Sequence, residues 1–150
     1  MSVIAAPSTG PARPTLEDVI AAGPRPLAES VELAASAARA VAAVHRHGLV
    51  HRGLQPASFV VGDEARQLFV TGFSTARPLR TGAPVTPDPE TTLDGPLAYM
   101  SPEQTGRVNR SVDTRSDLYA LGTVLYELFT GTTPLTPADP PAWDHAHAPR

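Results

Sequence analysis

Between Ser116 and Thr130 the apolar residues fall at Leu118, Ala120, Leu121, Val124, Leu125, Leu128 and Phe129. At 3.6 residues per turn this spreads them around most of a helical circumference, where a surface helix would carry a single stripe. Such a helix is expected to be buried on nearly all sides, so the rest of the chain has to supply neighbours for it. Each large apolar side chain that is buried stabilises by about 1.5–3 kcal/mol, and net stability is only ~5–15 kcal/mol, so several left uncovered would remove a sizeable part of it. The chain has 150 residues, enough for one domain with a real core.

Two further helices follow from pattern. Thr15-Leu16-Glu17-Asp18 is a capping-box-like start for a short helix ending near Gly23. Leu27 to His47 reads as an Ala-rich helix closed by Gly48, a residue suited to the left-handed position after a helix end; Val31, Ala34, Ala38, Val41 and Ala42 form one face of it. Phe59–Val61 and Gln67–Thr71 are β-rich runs around the turn-like cluster Gly62-Asp63-Glu64-Ala65-Arg66, which predicts a hairpin. The fold class is therefore mainly α with a small β-hairpin. Residues 1–14 are rich in Pro, Ser, Gly and Ala and are expected to be disordered, and Arg77 to Glu90, with Pro78, Pro84, Pro87 and Pro89, is expected to be a mobile loop.

Composition excludes several functions. All twelve basic residues are arginine, so no chemistry can depend on a lysine ammonium, and no G-x-G spacing occurs among the eleven glycines. A net charge of −3 with scattered arginines gives no basic face for nucleic acid. There is no cysteine for a disulfide or a thiol nucleophile, which fits a cytoplasmic setting. No apolar run reaches the length of a membrane span, and the first residues lack the basic start and apolar stretch of a secretory signal. His45, His47 and His51, like His145 and His147, invite a metal site, but residues 45 and 47 lie two apart near a helix end and point in different directions, so no metal is expected. Ser58 and Ser74 lack the G-x-S-x-G setting of a serine nucleophile.

The motifs that carry functional information form an ordered series. His51-Arg52-Gly53-Leu54-Gln55-Pro56-Ala57-Ser58 is followed, after the hairpin, by Gly72-Phe73-Ser74, then by Gly95-Pro96-Leu97-Ala98-Tyr99-Met100-Ser101-Pro102-Glu103, then by Asp113 to Gly122. This series resembles, in order, the catalytic loop H-R-D-x-x-x-x-N, the D-F-G turn, the end of the activation segment and the start of the buried central helix of a serine/threonine-type protein kinase. The resemblance covers roughly residues 15 to 148, with the catalytic-loop region at 51–58, the activation segment at 72–103 and the central helix at about 114–130. It is closest from Ser101 to Asp113, where it resembles the kinase-like domains that open large bacterial and fungal sensor proteins and are followed there by AAA-type ATPase, GAF and histidine kinase domains.

What the resemblance implies is a frame without its reagents. Gly53 stands where the family has the Asp that accepts the substrate proton, Ser58 where it has the metal-holding Asn, Gln55 where a loop Lys is usual, Gly72 where the D-F-G Asp grips magnesium, and Pro96 where a Thr bonds the loop. His51, Arg52, Phe73, Pro102, Glu103 and Asp117 match structural positions. In the family, the residue at 51 packs under the loop against the aromatic at 73, and the carboxylate at 117 braces the loop backbone. Arg52 is expected to be held by Asp117 or by backbone carbonyls rather than by a phosphorylated threonine. The family's glycine loop and strand lysine are absent, so the match is to the larger lobe alone. Its last helices, including the arginine that would pair with Glu103, are not encoded either. The implied function is a pseudokinase-type signalling or interaction module, with protein partners or adjacent sensor and ATPase domains of a longer chain, no nucleic acid and no membrane. ATP and magnesium enter only by family resemblance. The rival is a degenerate kinase domain that still binds ATP when an upstream polypeptide completes it.

Overall fold

In a computed structural model the described residues are 13–64, 66–79, 97–105 and 110–134. The expected disorder of residues 1–12, most of the proline-rich segment, Pro96 and the chain after Pro134 lie outside them. Arg13 and Pro14 are pinned to the hairpin: Val61 N–H donates to Pro14 O at 2.9 Å, and the Arg13 guanidinium meets Asp63 at 2.9 Å.

Helix α1 spans Leu16–Ala21 behind the N-cap Thr15. Asp18 N–H donates to Thr15 Oγ1 at 3.4 Å and Thr15 N–H donates to Asp18 Oδ2 at 2.7 Å, so two donors at the helix start are satisfied reciprocally. The Thr15 N–H first, and then the Thr15 hydroxyl, which donates to Asp18 Oδ2 at 2.9 Å, hold the Asp18 carboxyl below its ordinary pKa. Helix α2, Leu27–Arg46, ends at the cap residue His47, and Gly48 takes the left-handed φ of +70° that turns the chain out. Strand β1, Leu49–Val50, leads into the loop. The hairpin is β2, Phe59–Val61, against β3, Leu68–Val70, antiparallel with Val60 opposite Phe69. A short strand β4, Arg77–Pro78, pairs antiparallel with β1, so the proline-rich segment begins in a strand. Helix α3 spans Thr114–Thr130, capped by Asp113, which accepts from Arg115 N–H at 2.8 Å, and ended by Gly131 at φ +77°.

The core lies where α2 packs against β3 on one side and α3 on the other, with Leu16 and Phe59 closing one end. The face α2 buries differs from the one expected. Val31 is 51% exposed, Ala38 and Ala42 are exposed and Ala34 is half-buried, whereas Ser30, Leu33, Ser36, Ala37, Ala40 and Val44 are buried and Val41 belongs to both faces. The buried face is turned by about one residue, ~100°, from the expected one. It carries Leu33, Ala37, Ala40, Val41, Ala43 and Val44, whose burial sets it, and on the same face the buried Leu68 N–H of β3 donates to Ser36 Oγ at 2.9 Å. Helix α3 departs from expectation as well. It buries Ser116, Asp117, Ala120, Leu121, Thr123 and Val124, but Leu118 is 54% exposed and Tyr126 and Phe129 are 47% exposed. Among the described residues α2, β1 and the turn at Leu97–Tyr99 pack against it. That turn is tied down by Tyr99, whose hydroxyl donates to Glu127 Oε2 at 2.5 Å; burial first, and then this bond, push the phenol well above its ordinary range.

Candidate functional site

Residues 51–58 leave β1 and end in a helical turn, Pro56–Ser58, directly before the hairpin. What shapes this loop is a carboxylate in the first turn of α3. Asp117 is 1% exposed; its Oδ1 accepts from Arg52 N–H at 2.8 Å, and its Oδ2 accepts from His51 N–H at 2.8 Å and from His45 Nε2 at 2.9 Å. One side chain thus joins α2, the loop and α3. Arg52 sits at φ +67°, a region that costs a residue with a Cβ roughly 1–2 kcal/mol. The loop is held there from both sides, since Gln104 Nε2 donates to Arg52 O at 2.6 Å.

His51 is buried, and its partners fix its state. Its Nε2 faces Thr71 O at 2.9 Å, and a carbonyl only accepts, so Nε2 carries the proton; Nδ1 then accepts from Gly53 N–H at 3.3 Å. The ring is neutral. Burial pushes its pKa below the ordinary 6.5, against smaller upward effects of the Thr71 carbonyl and Asp117. Phe73 stands edge-on to it, with ring centroids 5.0 Å apart and planes at 62°.

The positions that the family resemblance marks as altered come together around this loop, apart from Pro96, which lies outside the described residues. Ser58 is 6% exposed and committed on both sides: its Oγ donates to Gly53 O at 3.2 Å and accepts from Gln55 N–H at 3.3 Å. Gly53 faces Thr75, whose hydroxyl donates to His51 O at 2.9 Å. Gly72 opens the turn Phe73–Thr75 in the left-handed conformation, φ +79°, and among the described residues, its chain neighbours aside, no atom lies within 4 Å of where a Cβ would stand. Positions 53, 58 and 72 therefore bring no carboxylate to the loop, and the buried carboxylate beneath it, Asp117, is engaged by three donors. Pro102 and Glu103 lie in the turn Pro102–Thr105, where Glu103 Oε1 accepts from Ser116 Oγ at 2.5 Å. Among the described residues no three metal-ligating side chains gather in one place. His45 turns to Asp117, His47 to Ala43 O and His51 to Thr71 O.

Sequence reasoning passed over three residues that shape the site. Gln104, 6% exposed, accepts at Oε1 from both Ser101 N–H and Ser101 Oγ while its Nε2 reaches Arg52 O, so it fastens residues 101–104 to the loop. Its only mark in the sequence is its place directly after Pro102-Glu103. His45, a candidate metal ligand in the sequence, is a partner of Asp117. Thr75, one of the threonines that could offer Arg52 a phosphorylated partner, stands against Gly53.

The family model of the protein kinase domain matches residues 12–147, and the chain belongs to that family. It is similar to the serine/threonine-protein kinase PknB of Mycobacterium leprae, 34% identical over 134 residues, which are 89% of this chain and 21% of the relative. PknB of Mycolicibacterium smegmatis is 36% identical over 135 residues with the same coverage of both chains. The DNA damage-responsive serine/threonine-protein kinase RqkA of Deinococcus radiodurans is 40% identical over 117 residues, 74% of this chain and 16% of the relative. The chain spans about a fifth of the length of the PknB relatives it matches. Among the described residues no helix is long and apolar enough to cross a membrane.

Proposed function

We propose that this chain is a pseudokinase-type module: the larger, mostly helical lobe of a protein kinase domain, acting through contacts rather than phosphoryl transfer. The observation that carries this reading is the chemistry of positions 53, 58 and 72. A nucleotide-bound magnesium needs carboxylate or amide oxygens aimed at it, and a substrate hydroxyl needs a base within hydrogen-bond reach. Two glycines and a serine whose hydroxyl is already bonded on both sides do not fit that group. Losing a general base alone costs ~10²–10⁴ in rate, before the metal ligands are counted. The resemblance of Ser101–Asp113 supports a place in a longer cytoplasmic sensor protein, whose other domains or protein partners are what the lobe touches.

The test is phosphate release and phosphotransfer from ATP with Mg²⁺ by the purified chain. No turnover above background is expected. Turnover at ordinary kinase rates, co-purifying with the protein, would overturn the reading.

A second reading is favoured by the likeness to serine/threonine kinases over most of the chain: a degenerate kinase domain that still binds ATP when completed by an N-lobe. Thermal unfolding with and without ATP and Mg²⁺, on this chain and on any longer protein that contains it, separates the two. A nucleotide-dependent rise in Tm selects the second reading, and an unchanged Tm in both selects the first.

A further inference from the structure

We propose that Thr75 is a built-in plug of the loop: its hydroxyl stands where any side chain at position 53 would project, and by bonding His51 O it holds the loop in the shape that keeps that place filled. The inference deepens the non-catalytic reading, on which it rests for its meaning, by naming the residue that occupies the space of the missing acid.

The described glycines with left-handed backbone are Gly23, Gly48, Gly72 and Gly131; Gly53 is not among them, so its backbone admits an ordinary L residue. Space is what forbids one. A Cβ built on Gly53 would lie 2.8 Å from Thr75 Oγ1, closer than real Cβ atoms come, whereas Thr75 Cβ and Cγ2 stand at 3.8 and 3.9 Å, ordinary contact distances. A single oxygen makes the exclusion. That oxygen cannot swing away without loss, because it donates to His51 O at 2.9 Å and because a β-branched side chain has few χ1 alternatives. The backbone beneath it is fixed too: Ala76 N–H closes the turn on Phe73 O at 3.1 Å, and Arg77 pairs with Val50 in the β1–β4 ladder.

Gly72 is the contrasting case. Among the described residues nothing crowds it, and its φ of +79° is what disfavours a side chain. The two glycines are therefore kept for opposite reasons. A carboxylate at 72 meets a backbone preference that Asp tolerates better than most residues, while one at 53 meets an atom.

The coupling is tested by thermal unfolding of the wild-type chain, Gly53→Ala, Thr75→Ala and the double variant. Gly53→Ala is expected to lower Tm by several degrees in the wild-type background and not at all in the Thr75→Ala background, where the oxygen is gone and replacing glycine restricts the unfolded chain. Thr75→Val puts a methyl in the hydroxyl's place and should keep the penalty, which separates occupied space from the lost hydrogen bond. No loss in the wild-type background, or equal losses with and without the Thr75 hydroxyl, overturns the proposal. If Thr75→Ala does not fold alone, a crystal structure of Gly53→Ala decides. A Thr75 hydroxyl displaced from His51 O supports the plug, and one left in place beside the new Cβ overturns it. ATP turnover by the chain would defeat the functional reading yet leave this stability coupling standing, so the two failures are distinguishable.

Discussion

Replacing Asp117 by Ala strands the backbone N–H groups of His51 and Arg52 and the His45 ring nitrogen together. Each buried donor left without a partner costs about 1–3 kcal/mol, so Asp117→Ala is expected to cost roughly 3 kcal/mol or more, read as a lower urea midpoint. Asp117→Asn should rescue little, because whichever way the amide turns, its NH₂ faces a donor. His51 gives a pH dependence of stated sign. Its folded pKa lies below 6.5, so on acidification the unfolded chain takes up a proton that the folded chain refuses. Its contribution to stability is complete above 6.5 and is lost as pH falls from there towards the folded value. In His51→Gln the slope of stability against pH just below 6.5 should be smaller than in the wild type. Asp18 and Asp113, held below 3.8 by hydrogen bonds to Thr15 and Arg115, act in a separate window: their contribution is present above 3.8 and lost as pH falls below it. At this scale the motif positions were legible because short motifs name residue types. Gln104 and Thr75 were not, since each takes its role from a partner about 50 or 22 residues away in the chain, a relation no local pattern carries.

For the helices, the rotation of α2 can be measured directly. Leu33, 3% exposed, lies on the buried face, and Leu27, 71% exposed, does not. Leu33→Ala is expected to cost about 2–5 kcal/mol and Leu27→Ala to stay within about 0.5 kcal/mol, both by chemical denaturation. Ser36→Ala should cost about 1–3 kcal/mol, because the Leu68 N–H loses its acceptor in a buried place. The start of α1 and the end of α2 could be read from Thr15 and Gly48, since caps are local chemistry. The inward side of α2 is marked by Leu33, Ala37, Ala40, Val41 and Val44 at helical spacing, so the sequence carried it and the expected face of Val31, Ala34 and Ala38 was the wrong choice; what no hydrophobic pattern marks is Ser36, used as an acceptor for a strand. For α3 the composition indicated burial all round, whereas Leu118, Tyr126 and Phe129 meet solvent. Leu118→Gln is accordingly expected to leave stability within about 0.5 kcal/mol in this chain.

Over the whole molecule, helices packed on a two-stranded hairpin, with the loop between them, form the frame on which a protein kinase places its chemistry. In this chain the frame is retained by bonds among its own parts: Glu103 to Ser116, Gln104 to Arg52, Tyr99 to Glu127. Because α2, α3 and the stretch that follows β1 all terminate on the same two oxygens of Asp117, they have no independent way to come apart. Opening any one of them takes a donor from a carboxylate that the others still bury, so loosening by stages is penalised and the lobe should let go in a single step. The amide protons of residues 51 and 52 would then exchange with deuterium only when the entire chain unfolds, at a rate that keeps pace with its slowest amides.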